Sequence, residues 1–187
     1  MKIEINNLTK KYNGKIVINN LNEIIDDGQR VALIGKSGSG KTTFINIILK
    51  VIKADEGDVI FSEEPYFSVV FQDNLLFENK TVYENLLFVK EIDKKEAEKV
   101  LESLGLYNII DKKVSMLSGG MKRRVAIARS LVYNGNIYIF DEALREVDFS
   151  TKELILNKIN SIDKTIIFST HNIEDIKYLK ADKIIEF

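Results

Sequence analysis

Isoleucines at positions 3 and 5, and again at 16 and 18, fall on every second residue either side of Asn13-Gly14. Side chains alternate faces along a strand, and Asn-Gly accepts the positive φ that a tight hairpin needs, so this spacing predicts two strands joined by a turn. Arg30–Ile34 is a short apolar run ending at Gly35, the form of a strand buried on both faces of a parallel sheet. A helix should open after the glycine-rich segment that follows and continue over Asn46–Val51. Gly57–Phe61 and Ser68–Phe71 read as further strands.

The middle of the chain changes character. Thr81 is followed three residues later by Glu84, and Asp93 likewise by Glu96, a spacing that predicts two capped helices. In the second, Ala97, Val100, Leu101 and Leu104 share one face, and Gly105 suits its end. Residues 73–116 are therefore read as a small helical lobe, extending into 117–134, inserted in a single domain that spans 1–187. Strand signals return at Asn136–Phe140, Thr165–Ser169 and Lys183–Phe187, alternating with helical stretches near 121–134, 150–161 and 172–179. This alternation predicts an α/β fold: a mostly parallel sheet with helices on its faces, preceded by an antiparallel β part.

Composition narrows the function classes. Lys and Arg total 27 against 28 Asp and Glu, a net charge of −1, which argues against a nucleic-acid binder that relies on a broad basic face, though not against a local patch. The absence of cysteine excludes disulfides and thiolate metal sites. The densest apolar stretch, Phe44–Ile52, is interrupted by Asn46 and Lys50, and no run reaches the length of a bilayer span. The start of the chain lacks the apolar centre of a signal peptide. A membrane role is thus expected to come through a partner chain.

The chemistry concentrates in a few segments. Gly35-Lys36-Ser37-Gly38-Ser39-Gly40-Lys41-Thr42, continued by Thr43, matches the phosphate-loop pattern with a strand before it and a helix after it. Its glycines let successive N–H groups turn toward one anion, and the helix start adds partial positive charge. Lys41 can reach the outer phosphates, and the Thr42 hydroxyl can ligate Mg²⁺. Such a loop needs a carboxylate for its metal at a neighbouring strand end, and Asn136–Phe140 delivers Asp141 there. Glu142 follows it and could orient and deprotonate an attacking water. His171, the one histidine, follows the Thr165–Ser169 strand at the sheet end where α/β folds gather ligands. Ser118-Gly119-Gly120 opens a second helix and forms a second anion-binding N-terminus, or an ordinary Ser cap. Lys122, Arg123, Arg124 and Arg129 on that helix could equally be a solvated face.

Taken in order, the phosphate loop, Gln72 in Val69–Asp73, Leu117–Met121, Phe140-Asp141-Glu142, Asp148 and Ser169-Thr170-His171 resemble the nucleotide-binding subunit of ATP-binding cassette (ABC) transporters over nearly the whole chain. The resemblance implies a phosphate-loop NTPase core that binds ATP and Mg²⁺ and hydrolyses ATP. It implies Tyr12 stacking on adenine and Gln72 touching Mg²⁺ or the attacking water. His171 would contact the γ-phosphate. Ser118, Gly119 and Gly120 would complete the ATP site of a second ABC subunit in a head-to-tail dimer. The partners it implies are that second subunit, homo- or heterodimeric, and separate transmembrane permease subunits, placing the chain on the cytoplasmic face of the membrane. No direct nucleic-acid contact is expected.

Within the family, Val69–Phe77 and Leu117–Lys122 look like the nitrate/sulfonate/taurine-type importers. Met121 stands where most members carry Gln, and Ala143 where Pro is usual. Arg145-Glu146-Val147-Asp148 keeps only the Asp of the usual motif, which puts dimer communication through it in question. The chain ends at Phe187, so a terminal regulatory domain is not expected. Two other readings remain open on these residues: a soluble ABC ATPase outside transport, and a slowly hydrolysing partner in a heterodimer.

Overall fold

In the computed structural model, which describes residues 1–144, 147 and 149–187, the hairpin forms as the alternation predicts. β1 (Ile3–Tyr12) and β2 (Lys15–Ile25) pair antiparallel across Asn13 and Gly14, whose φ values are 48° and 79°. β2 runs well past Ile18, through a polar stretch that hides it from a hydrophobic reading. Asn7 and Asn20 adopt positive φ, and the register shifts nearby, so strict alternation fails where the strands bulge.

The chain then enters β3 (Arg30–Ile34) and α1 (Lys41–Ile48) before β4 (Glu56–Phe61) adds to the free edge of β1. The helix ends at Ile48, short of the expected Val51. Lys50 adopts φ 59°, and Val51 N–H donates back to Asn46 O at 2.9 Å. This is the closure usually made by glycine. With lysine in that place, periodicity alone overruns the end.

β5 (Phe67–Val70), β6 (Ile137–Asp141), β7 (Thr165–Ser169) and β8 (Lys183–Glu186) form a second sheet with β3, in the order β5-β6-β7-β3-β8. Every pairing in it is parallel. Side-chain alternation divides the interior in two. Val31, Leu33, Ile137, Ile139, Ile167 and Ile185 face a core shared with α1 and the antiparallel sheet. Ala32, Tyr138, Phe140, Ile166 and Phe168 face the opposite core, which is covered by helices. A strand buried on both faces must be apolar throughout, which is why these strands read as continuous runs.

Those helices are α2 (Val82–Leu87), α3 (Lys94–Glu102), α4 (Gly119–Tyr133), α5 (Phe149–Asn160) and α6 (Ile173–Tyr178). The Thr81 capping box closes from both sides: Glu84 N–H donates to Thr81 Oγ1 at 3.1 Å, and Thr81 N–H to Glu84 Oε2 at 2.7 Å. Asp93 accepts from Glu96 N–H at 2.9 Å. Ala97, Leu101 and Leu104 are fully buried, and Gly105 at φ 68° lets Leu106 N–H return to Leu101 O at 3.0 Å. α2 and α3 both pack on α4, which also lies against β5.

Candidate functional site

β3 delivers the chain to Gly35, whose φ is 147°. A Cβ there would stand 2.6 Å from both Phe187 O and Ser39 Oγ, so no side chain fits. Gly40, at φ 121°, precedes α1, and no side chain caps that helix. Its first N–H groups therefore remain for another acceptor. Lys41 is buried, and its Nζ donates to Gly35 O at 2.7 Å and Lys36 O at 3.0 Å, spanning the loop from within. Ser39 Oγ is buried in the same loop without a hydrogen-bond partner. A curled backbone with an enclosed ammonium and an orphaned hydroxyl is a cradle suited to an anion.

The acids arrive on the adjacent strands. Asp141 closes β6 with 2% exposure; its Oδ2 accepts from Thr42 Oγ1 at 3.0 Å and its Oδ1 from Ser169 Oγ at 2.6 Å. Ser169 sits directly across the β6–β7 register from Asp141, and its oxygen also accepts from Glu142 N–H at 2.8 Å. Glu142 takes φ 48°, a left-handed conformation that costs a non-glycine residue about 1–3 kcal/mol. That turn brings its Oε1 2.5 Å from His171 Nε2. A continuous polar chain thus runs from Thr42 through Asp141, Ser169 and Glu142 to His171. Ser169 is the member that sequence reasoning left without a role; its meaning depends on β6 and β7 being neighbours.

Ser37, Gly38, Gly40, Lys41, Thr42, Thr43, Gln72 and Glu142 line one cleft. His171 lines an adjoining one that shares Glu142. Among the described residues no group of three or more His, Cys, Asp or Glu side chains could hold a metal. One buried carboxylate beside one hydroxyl is instead the donor set suited to Mg²⁺, which takes its remaining ligands from phosphates and water. Tyr12, half-exposed at the end of β1, is not part of this cleft; Lys10 Nζ lies 5.4 Å from its ring centroid.

The basic residues of α4 are not a solvated face. Arg123 is buried and donates to the backbone carbonyls of Phe71, at 2.6 Å, and Gln72. Arg129 donates to Leu75 O at 2.7 Å and Asn74 O at 3.2 Å. Together they bind the segment carrying Gln72 to α4. Arg124 donates to Leu104 O and Gly105 O, while Lys122 pairs with Glu78. No local sequence signal could reveal these partners, because the acceptors are backbone atoms of distant loops.

Ser118 caps α4, accepting from Met121 N–H at 3.3 Å. Added Cβ atoms at Gly119 and Gly120 would meet nothing within 4 Å, and neither glycine has a positive φ. Nothing within the described chain requires glycine at either place. Met121 packs against the helical core, and Ala143 is buried in it. Asp148 lies outside the described residues.

The chain is 30% identical over 203 residues to the spermidine/putrescine import ATP-binding protein PotA of Pasteurella multocida (strain Pm70), an alignment covering 98% of this chain and 55% of that protein. It is 33% identical over 200 residues to the methionine import ATP-binding protein MetN of Legionella pneumophila (strain Lens), covering 94% of this chain and 59% of that one. The chain thus spans little more than half the length of these curated relatives. Among solved structures, a bacterial Atm1-family ABC exporter with ATP bound superposes with a TM-score of 0.88 at 26% identity, over all of this chain and 36% of the exporter chain. The ABC transporter profile matches residues 18–145, more than half of the sequence. The chain belongs to the ABC transporter family.

Proposed function

We propose that this chain is the ATP-binding and ATP-hydrolysing subunit of an import system, working through separate membrane subunits. The observation that carries this reading is the polar chain from Thr42 to His171 beside the cradle formed by Gly35–Thr43. In this reading the loop N–H groups and the start of α1 hold the phosphates, and Lys41 Nζ turns from its loop carbonyls to the outer phosphate oxygens. Thr42 and Asp141, with Gln72, would hold Mg²⁺, which supplies charge neutralisation at those oxygens. Glu142 accepts the proton of the attacking water, giving ADP and phosphate. His171, in the tautomer protonated at Nε2, donates to Glu142 Oε1 and holds that carboxylate beside the γ-phosphate, within reach of the attacking water. Tyr12 supplies the aromatic face for adenine.

Ser118, Gly119 and Gly120 are assigned to the ATP site of a second ABC subunit. Support comes from the open space around both glycines at a helix start. The contact of Arg123 with Gln72 O ties that helix to the cleft. Leu75, Phe77 and Phe88 are exposed together, with Phe77 and Phe88 edge to face at 4.6 Å, and they border the Gln72 segment. This apolar groove is assigned to a cytoplasmic segment of the permease. Among the described residues no helix is long and apolar enough to cross a membrane, which is consistent with a separate permease. The import direction is supported by the names of PotA and MetN; the cargo is left open.

Purified chain with Mg²⁺ should release phosphate from ATP, and Glu142→Gln should slow that release by about 100-fold or more. Wild-type turnover in Glu142→Gln would remove the base assignment. Co-purification with an integral membrane protein, lost when Phe77 and Phe88 are both replaced by Asp, tests the transport partnership.

A further inference from the structure

Behind His171 lies a buried carboxylate that the proposed chemistry does not use. Asp175, in the first turn of α6, is 4% exposed. Its Oδ2 accepts from Thr170 Oγ1 at 2.7 Å, and the same hydroxyl oxygen accepts from Asn172 N–H at 3.0 Å. The Thr170 hydroxyl thus bridges the loop around His171, donating to Asp175 and accepting from Asn172 N–H. Lys152, on α5, places its Nζ 2.5 Å from Asp175 Oδ1, an ion pair without the alignment of a hydrogen bond. Lys152, Thr170, His171, Asp175 and Glu142 all line the same cleft.

A carboxylate is costly to bury, and a loop of this length could be closed by an uncharged side chain. Its placement makes sense if it fixes the loop that carries His171. We propose that Asp175 and Lys152 are positioning residues that hold His171 against Glu142; this rests on the roles given above to Glu142 and His171. Without the Asp175 carboxylate, Thr170 Oγ1 loses the acceptor that fixes its rotamer for Asn172 N–H, and the 2.5 Å contact between His171 and Glu142 loosens. Without Lys152, Asp175 Oδ1 loses its ion-pair partner and the carboxylate is free to turn away from Thr170. ATP itself is held by the Gly35–Thr43 loop, built from β3 and α1, so its affinity is independent of this pair.

The test compares Asp175→Asn, Lys152→Met, Thr170→Val and Lys152→Arg in the full chain. The first three should lower kcat about tenfold, the scale on which misplacement of a reacting group acts, and leave KM for ATP within about twofold. Lys152→Arg should restore at least half of the activity. Because His171 is the one histidine in the chain, its imidazole gives one Cε1–H resonance by NMR. That resonance should move or broaden in the first three variants and keep its wild-type position in Lys152→Arg. Should Asp175→Asn fail to fold, the partly exposed Lys152 and the near-isosteric Thr170→Val carry the comparison. Wild-type kcat in Lys152→Met and Thr170→Val, or lowered kcat with an unmoved His171 signal, overturns the proposal. Glu142→Gln separates the two levels. If it turns over normally, the site reading fails and the positioning role falls with it. If it is inactive while the other variants are normal, the positioning role alone fails.

Discussion

The chain contains two glycine-rich helix starts of similar local chemistry, and their surroundings differ completely. At α1, Gly35 and Gly40 hold conformations and contacts that exclude other residues, and a lysine, a threonine and a buried aspartate converge on the turn. At α4, Ser118 makes an ordinary cap, and the two glycines after it are helical and face open space. Both present N–H groups and the positive end of a helix dipole. A helix start becomes a reaction site only when neighbouring strands bring acids, bases and a metal-binding carboxylate to it. Among the described residues the α4 start has a capping Ser118 and the exposed Lys122–Glu78 ion pair in place of a buried carboxylate, which fits a group offered to a neighbour's ATP.

Substitutions can break this contrast from either side. Lys41→Ala should have the largest effect, lowering ATP turnover on the order of 100- to 1000-fold by removing a preorganised charge from the phosphates. Measured phosphate release and nucleotide affinity should fall together. Ser118→Arg should lower turnover about 100-fold by displacing the neighbour's site. ATP affinity of the single chain, measured by calorimetry, should stay unchanged. Equal loss of affinity would mean that both helix starts serve one chain's nucleotide. Gly35→Ala should cost about 2–3 kcal/mol of stability in urea unfolding, through strain at φ 147° and contact with Phe187 O. Gly119→Ala should instead gain up to about 1 kcal/mol, because nothing opposes the new methyl and alanine favours helix. A destabilised Gly119→Ala would show that the space around it is not free.

The smallest effect belongs to α2, a helix start closed entirely from within. Glu84 is lowered from 4.5 to about 2, first by the Thr81 backbone N–H and then by the Lys80 ammonium. A carboxylate lowered on folding stabilises above its unfolded value, near 4.5, and that contribution is lost as pH falls through about 2. Wild type should therefore exceed Glu84→Gln in urea midpoint at neutral pH, and the difference should shrink between those values and vanish below them.

Much of this arrangement is legible in the sequence because local physics imposes it. The doubly buried strands had to be apolar, the capping box at Thr81 has a fixed spacing, and the phosphate loop carries its own strand and helix. What stayed hidden depends on backbone turns made without glycine and on long-range placement. Lys50 ends α1 in a conformation usually reserved for glycine, and the asparagines of β2 mask a strand that pairs in spite of them. Arg123 reads as a surface charge until the Gln72 carbonyl meets it. Ser169 reads as a strand-end polar residue until the sheet order sets it beside Asp141. The register between β6 and β7 is what brings Asp141 and Ser169 side by side.

In the proposed dimer each chain holds half of two ATP sites. Sedimentation of Glu142→Gln with ATP and Mg²⁺ tests it most directly. The account predicts a species of twice the 21.4 kDa chain mass, returned to a monomer with ATP still bound when Ser118→Arg is added. A monomer that binds ATP fully in Glu142→Gln, or a dimer indifferent to Ser118→Arg, would contradict it.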